Sequence, residues 1–393
     1  MRDVIVSGVG MTKFGKFFEK GLKDLTRESV NKALEDAGVS KETIESAYVG
    51  NSVAGVITGQ ETIRGQVVLR DAKIGGIPIF NVENACASSS TAFHLASVGI
   101  AAGVYDCALI VGVEKMTHAD RNVTFKAFEG GVDVEAMKTQ LDQSPGTRSI
   151  FMDVYAQKAK DYMNRYSVTK EHLAKIAAKN HNNGRLNPFA QNRKAKSVED
   201  VLNDRLIVDP FTRSMCSPVS DGAAALVLCS KDFAKKTNKP PVYLASSVVT
   251  SSELQPLENE GVIKKASKSA FEKAGLGPED LDVIEVHDAT ASAELMAYEE
   301  IGLCEPGETA KLVDNNMTEL HGKKPVNASG GLEAKGHPIG ATGLGQIVEL
   351  VWQLRGEAGS RQVKNSPKVG FAENAGGHLG NENAACTITI LTT

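Results

Sequence analysis

The chain has 393 residues, 41% of them hydrophobic, and a formal net charge of −4. That is enough apolar material for two domains or one double-sized α/β unit, and the mild negative charge gives no electrostatic basis for binding nucleic acid or an anionic membrane. No apolar run approaches the roughly 20 residues that span a bilayer, and six scattered cysteines without a CxxC pair argue against both a secreted disulfide framework and a structural zinc site.

Residues 4–9 read as a first strand, so the start MRDVIVSGVG is not a signal peptide. Residues 22–37 form an amphipathic helix pattern that ends at Gly38, followed by a strand at 46–53 and a helix at 62–71. A short apolar stretch at 77–82 then gives way to Cys86, and from residue 91 to 101 the pattern is helical and almost wholly small or apolar, as in a buried helix. Residues 107–113, CALIVGV, suit a central strand covered on both faces. The segment 114–205 is poor in strand signals and holds two helices, at 152–166 and 170–183. Strand character returns at 223–229.

After Pro240-Pro241 the pattern repeats, with a strand at 242–249 and a helix at 263–274 closed by Gly275. EDAGVSKETIESAYVGN is echoed by EKAGLGPEDLDVIEVHD, and DGAAALVLCS by NENAACTITIL. GHPIGATGLGQIVELVWQLR stands where the Cys86 helix stood. Two βαβ-type halves follow, with equivalent central helices packed together and an inserted segment between them. The expected division is 1–117 and 218–239 for the first half, 118–217 for an inserted lid, and 240–393 for the second half.

A cysteine at a helix start meets free N–H groups and about half a positive charge, which lowers a thiol from about 8.5 toward neutrality. Taken alone, the stretch equally suits a small cysteine filling a tight helix end. A nucleophilic thiol needs a base within reach. By the repeat, His337 stands at the start of the second central helix as that partner, with Pro338 suited to its first turn. His287 follows the apolar VIEV, at a strand's C-terminal end, where open α/β sheets place ligands. His378 lies in the Gly-rich loop ENAGGHLG. His94 reads as a core residue and His181 as a pocket residue. The glycine-rich turns at 328–331, 340–345 and 376–377 contain no phosphate-binding GxxxxGK[ST], and GATGLG falls inside a helix pattern, which argues against a dinucleotide. Such turns bring backbone N–H groups to a substrate, as an oxyanion hole requires, or let helices pack closely.

ENACASSS, GVEKM, SPVSDGAAALVL and NASGGLEAKGHPIGATG together resemble the thiolases almost end to end. KNHNNGRLNPFAQNR, and HDAT in place of NEAF, resemble the sterol-carrier-type and archaeal-like branch. The resemblance implies a duplicated α/β thiolase fold in five layers, α-β-α-β-α, with a lid inserted in the first half. It implies thiolytic cleavage of a β-ketoacyl-CoA, or the reverse Claisen condensation, through an acyl group on Cys86. His337 is then the activating base, His287 supports one oxyanion hole, and the N–H groups of Cys86 and of Gly376 or Gly377 form another. Met116, His181 and Gly340 are expected at the substrate pocket. Coenzyme A is the implied cosubstrate, with no tightly bound cofactor and no metal. A cytoplasmic homodimer or tetramer, with a small OB-fold zinc-ribbon partner protein, is also expected. The alternatives are a condensing enzyme of the ketoacyl-synthase type and a non-catalytic acyl-CoA-binding subunit.

One departure stands out. The usual second cysteine is absent: its HDCF position is Ala289, the late loop has none, and Cys386 lies in the apolar CTITIL. His378 is the first candidate for the second acid/base, with His287 or a water as the rival.

Overall fold

A computed structural model describes residues 2–142, 148–254 and 261–393; residues 143–147 of the expected lid lie outside these. The strands are β1 Val4–Met11, β2 Ser46–Gly50, β3 Ile79–Val82, β4 Cys107–Glu114, β5 Leu206–Val208, β6 Phe211–Thr212, β7 Gly222–Ser230, β8 Val242–Ser251, β9 Val283–Glu285, β10 Val369–Gly376 and β11 Ala385–Thr392. β5 and β6 form a small hairpin, and the other nine make one sheet in the order β3-β2-β4-β7-β1-β8-β11-β10-β9.

That order is the duplication made visible. In the first half β1, β7, β4 and β2 lie side by side, and in the second β8, β11, β10 and β9 run outward in the same sense. The outer pairs β2–β4 and β9–β10 are parallel, and the inner pairs are antiparallel. The counterpart of β3 is reduced to one parallel bridge between Ile284 and Val326. The halves meet where Ile5 and Val6 pair with Tyr243 and Val242. β4 and β7 are buried along their whole length, β4 as its unbroken apolar run foretold.

Helices fill the remaining layers. Leu22–Ala37 ends at Gly38 (φ 68°) and Val262–Ala274 at Gly275 (φ 66°), both left-handed caps that glycine adopts without strain. Each covers the outer face of its own half. The middle layer consists of Ser88–Ala101 and Thr342–Arg355, which touch each other and strands of both halves. Phe93, Ala96 and Ile100 of the first pack in one cluster with Leu344, Ile347 and Val351 of the second. The inserted segment supplies the helices Arg121–Glu129, Ile150–Arg165 and Lys170–Leu186, with the β5–β6 hairpin.

Close approach of the two central helices depends on Gly343. A Cβ there would lie 2.7 Å from both the Cβ and the Oγ of Ser90. Gly343→Val is therefore expected to cost about 1–3 kcal/mol by overpacking, read as a lower midpoint of urea unfolding; an unchanged midpoint means the helices can part freely.

Candidate active site

The helix Ser88–Ala101 is preceded by a tight turn, Ala85–Ala87, which carries the cysteine. Ala85 has φ 47°, a left-handed conformation that costs a non-glycine residue energy, and its N–H donates to Glu83 Oε1 at 2.7 Å. The turn pushes Cys86 into a cavity of about 1290 Å³ lined by Met116, His181, His287, His337, Gly376 and Gly377 among others. The Cys86 thiol and one ring nitrogen of each of His287 and His337 lie within 4.8 Å of one another. They are the one group of donor side chains among the described residues close enough to share a metal ion.

His337 is not at the start of the second central helix. That helix begins at Thr342, and His337 lies in the loop before it. The loop is pinned to the first half: Val219 bridges to His337, and the His337 N–H donates to Ser220 Oγ at 3.0 Å. The ring's Nδ1 lies 2.7 Å from Thr342 Oγ1, and that hydroxyl donates to Pro338 O at 3.2 Å. With its proton so committed, Thr342 Oγ1 accepts, so Nδ1 carries the His337 proton and Nε2 presents its lone pair. His337 Nε2 lies 3.5 Å from His287 Nε2, which must then bear the hydrogen. The His287 backbone is fixed by an N–H bond of 2.8 Å to Glu373 Oε2.

The backbone N–H groups of Gly377 and of Cys86 itself are directed at the thiol. β10 can reach the cysteine turn because Gly376 has no side chain; a Cβ there would lie 2.5 Å from Asn84 O.

The charge state differs from the sequence expectation. Burial pushes the Cys86 thiol up to about 12, and Glu114 and Glu83 push the same way against the two N–H donors. The thiol remains half-buried and open to the cavity, so water there softens the effect without reversing its direction. Burial likewise holds His287 down to about 4, and burial, His287 and Lys335 together hold His337 well below its ordinary value. Burial thus favours a neutral thiol beside two neutral imidazoles over an ion pair at rest.

Three expected residues fall elsewhere. His378 lies outside the group: Gly377 (φ 64°) turns the chain, and His378 bridges to Val132 with its N–H donating to Gly131 O at 2.9 Å. Burial, with Lys158 nearby, holds its ring down to about 4. Gly340 is packed away from the cavity, its N–H donating to Glu114 Oε2 at 3.0 Å. His94 is only partly buried, with Nδ1 3.0 Å from Ser247 Oγ. Met116 and His181 do line the cavity, and the His181 Nε2–H donates to Ser214 O at 3.1 Å.

Thr342 and Ser220, which orient His337, were missed, although both stand in quoted motifs. Cys216 was also missed: it lines the cavity next to Ala289, bridges to Thr290, and has its thiol pushed up by burial. Cys386 lies fully buried in β11.

The family model "Thiolase, N-terminal domain" matches residues 4–198, and "Thiolase C-terminal domain-like" matches residues 246–390. An acetyl-CoA acetyltransferase of Methanothermobacter thermautotrophicus is 38% identical over 385 residues, 96% of this chain and 97% of its own. Sterol carrier protein 2 of Bos taurus is 39% identical over 388 residues, 95% of this chain and 70% of its own. Among solved structures, an Ltp2-ChsH2(DUF35) aldolase superposes with a TM-score of 0.82 at 20% identity, covering 100% of this chain and 98% of its own.

Two outcomes follow from the neutral site. Alkylation of Cys86 by iodoacetamide in the free enzyme should keep rising with pH through the alkaline range, because a raised thiol pKa leaves little thiolate at neutrality; a plateau near pH 7 indicates an ion pair instead. Thr342→Val frees the His337 ring and is expected to lower kcat by about 10–100-fold, the usual scale for a partner that orients a functional imidazole, with the fold intact by circular dichroism.

Proposed function

This chain belongs to the thiolase family, and from that premise we propose how its own residues carry the thiolase reaction. It is an acyltransferase that exchanges a coenzyme A thiol with an acyl fragment of a β-ketoacyl-CoA. The observation that carries the reading is the convergence of one thiol, two imidazoles and two backbone N–H donors on a single point of the cavity. Exposed basic side chains at the cavity mouth, including Lys16, Arg121, Arg193 and Lys194, suit the phosphates of coenzyme A.

Cleavage begins as Cys86 Sγ attacks the β-keto carbon while its proton passes to His337 Nε2. Because the thiol pKa is raised, the proton leaves as the S–C bond forms. The alkoxide oxygen is held by backbone N–H groups in a low-dielectric site, where one such donor is worth about 3–4 kcal/mol. Collapse breaks the bond between the α and β carbons and leaves the acyl group on Cys86 and an acyl-CoA enolate beside His287. The enolate oxygen accepts from His287 Nε2–H, and its carbon takes the proton that came from Cys86. The histidine pair thus replaces the second cysteine: His337 returns the proton it took, while His287 Nε2–H holds the enolate oxygen. An incoming coenzyme A thiol then loses its proton to the same pair, attacks the thioester and restores the Cys86 thiol. The atoms balance: one β-ketoacyl-CoA and one coenzyme A become two acyl-CoAs.

We further propose a cytoplasmic homodimer or tetramer and a small OB-fold zinc-ribbon partner, the latter supported by the DUF35 protein named with the aldolase structure. No helix of the described residues is long and apolar enough to cross a membrane.

Incubation with acetyl-CoA should leave a labile acetyl adduct on Cys86 by mass spectrometry, and Cys86→Ser should lower turnover by about 10⁴-fold or more. Absence of the adduct, with turnover within a small factor of wild type, removes Cys86 from the mechanism. His287→Ala is expected to slow both acylation and deuterium exchange into the acetyl α-carbon by about 10²–10³-fold; exchange at the wild-type rate excludes His287 from enolate chemistry.

A further inference from the structure

Behind His287 lies a second chamber of about 340 Å³. Its lining and that of the Cys86 cavity share Tyr155, His287, Ala375 and Asn383, so the two adjoin. The lid helix Ile150–Arg165 runs along both. Phe151, Tyr155, Lys158 and Tyr162 fall on one helical stripe, which passes from the apolar cavity wall into the chamber.

Some of the chamber's polar groups are paired, Tyr162 donating to Glu299 Oε2 at 2.6 Å, but three are not. The Tyr155 hydroxyl, the Lys158 ammonium and the Glu300 carboxyl make no hydrogen bond or ion pair with any described residue. All three side chains are half-buried, so their polar ends face the chamber rather than a protein partner. Here a donor-only ammonium and a carboxyl face one space, adjoined by a phenol. The opposite wall comes from the helix Ala291–Glu300, which contributes Met296, Glu299 and Glu300. The volume equals several waters at about 30 Å³ each, enough for a ring or a short chain end.

We propose that this chamber is the acyl-recognition pocket, and that it selects β-ketoacyl-CoA substrates whose acyl group carries a neutral oxygen substituent, a hydroxyl or phenol, received between Lys158 and Glu300. The proposal rests on the Cys86 cavity being the site of acyl transfer. An acyl group held on Cys86 extends away from the basic mouth, passes Phe151 and Tyr155, and brings its far end to Lys158. A hydroxyl both accepts from the ammonium and donates to the carboxyl. An anionic end is disfavoured, because Asp161, Glu299, Glu300 and Glu373 face the chamber against only Lys158 and Arg165.

The test compares thiolysis of para-hydroxybenzoylacetyl-CoA, benzoylacetyl-CoA and para-carboxybenzoylacetyl-CoA, with acetoacetyl-CoA as the small reference, by the full chain and by Lys158→Met and Glu300→Gln. The hydroxylated ester is expected to exceed benzoylacetyl-CoA in kcat/KM by about tenfold, the scale of one hydrogen bond to a charged group. The carboxylated ester should fall below both, and each variant should bring the hydroxyl preference to within about twofold. Equal rates for hydroxylated and plain esters, a preference that survives both variants, or a preference for the carboxylate overturns the proposal. Turnover of acetoacetyl-CoA but of none of the three aryl esters also overturns it while leaving acyl transfer standing. Failure of all four esters, with no adduct on Cys86, removes the acyl-transfer reading itself.

Discussion

One buried carboxylate holds the catalytic groups in register. Glu114, at the end of β4, is wholly buried and accepts from the Asn51 amide, from the N–H groups of Ser52 and Val53, and from the N–H of Gly340. Asn51–Val53 follow β2 in the first half, whereas Gly340 follows His337 in the second. Only a carboxylate has enough lone pairs to bind so many donors at once. Asp221 repeats the device beside it: it accepts from Lys115 Nζ and from the N–H groups of Phe17, Met116 and Thr117. Apolar packing between the central helices brings the halves together but is non-directional. The angular placement of His337 relative to Cys86 comes from these polar pins.

The duplication explains why the site is divided. Each half supplies a central helix preceded by a tight turn, and the two turns face each other between the half-sheets. The first half contributes the nucleophile and the second contributes both imidazoles and Gly377. Neither half has a complete set. Burial at the junction also bears on the chemistry: it disfavours charge on the thiol and on both imidazoles, which suits proton transfer during bond formation better than a stored ion pair.

Much of the fold was legible because local signals agreed with tertiary ones. Helix ends at Gly38 and Gly275 were readable because glycine is needed there for a left-handed cap. β4 was readable because a strand covered on both faces leaves an unbroken apolar run. The repeat foretold the contact between the central helices, and hence the nearness of Cys86 and His337. The acidity of Cys86 was misread because a helix start is visible in sequence, whereas the depth of burial and the nearby Glu114 are not. His378 was misplaced because one turn at Gly377 decides which way the following side chain faces. Tyr155 and Lys158 left no mark: on a mixed lid helix, nothing local distinguishes a residue facing a chamber from one facing water.

The residues that complete the site come late in the chain. β1, β4 and β7 can pair before residue 240 is synthesised, so the first half can close its sheet as a nascent chain emerges. His287, His337 and Gly377, which surround the thiol, do not yet exist at that stage. Until they arrive, Cys86 sits on an open face with neither imidazole nor second backbone donor. Synthesis therefore separates in time the acquisition of a fold from the acquisition of reactivity, and a truncated chain keeps its cysteine without the means to use it.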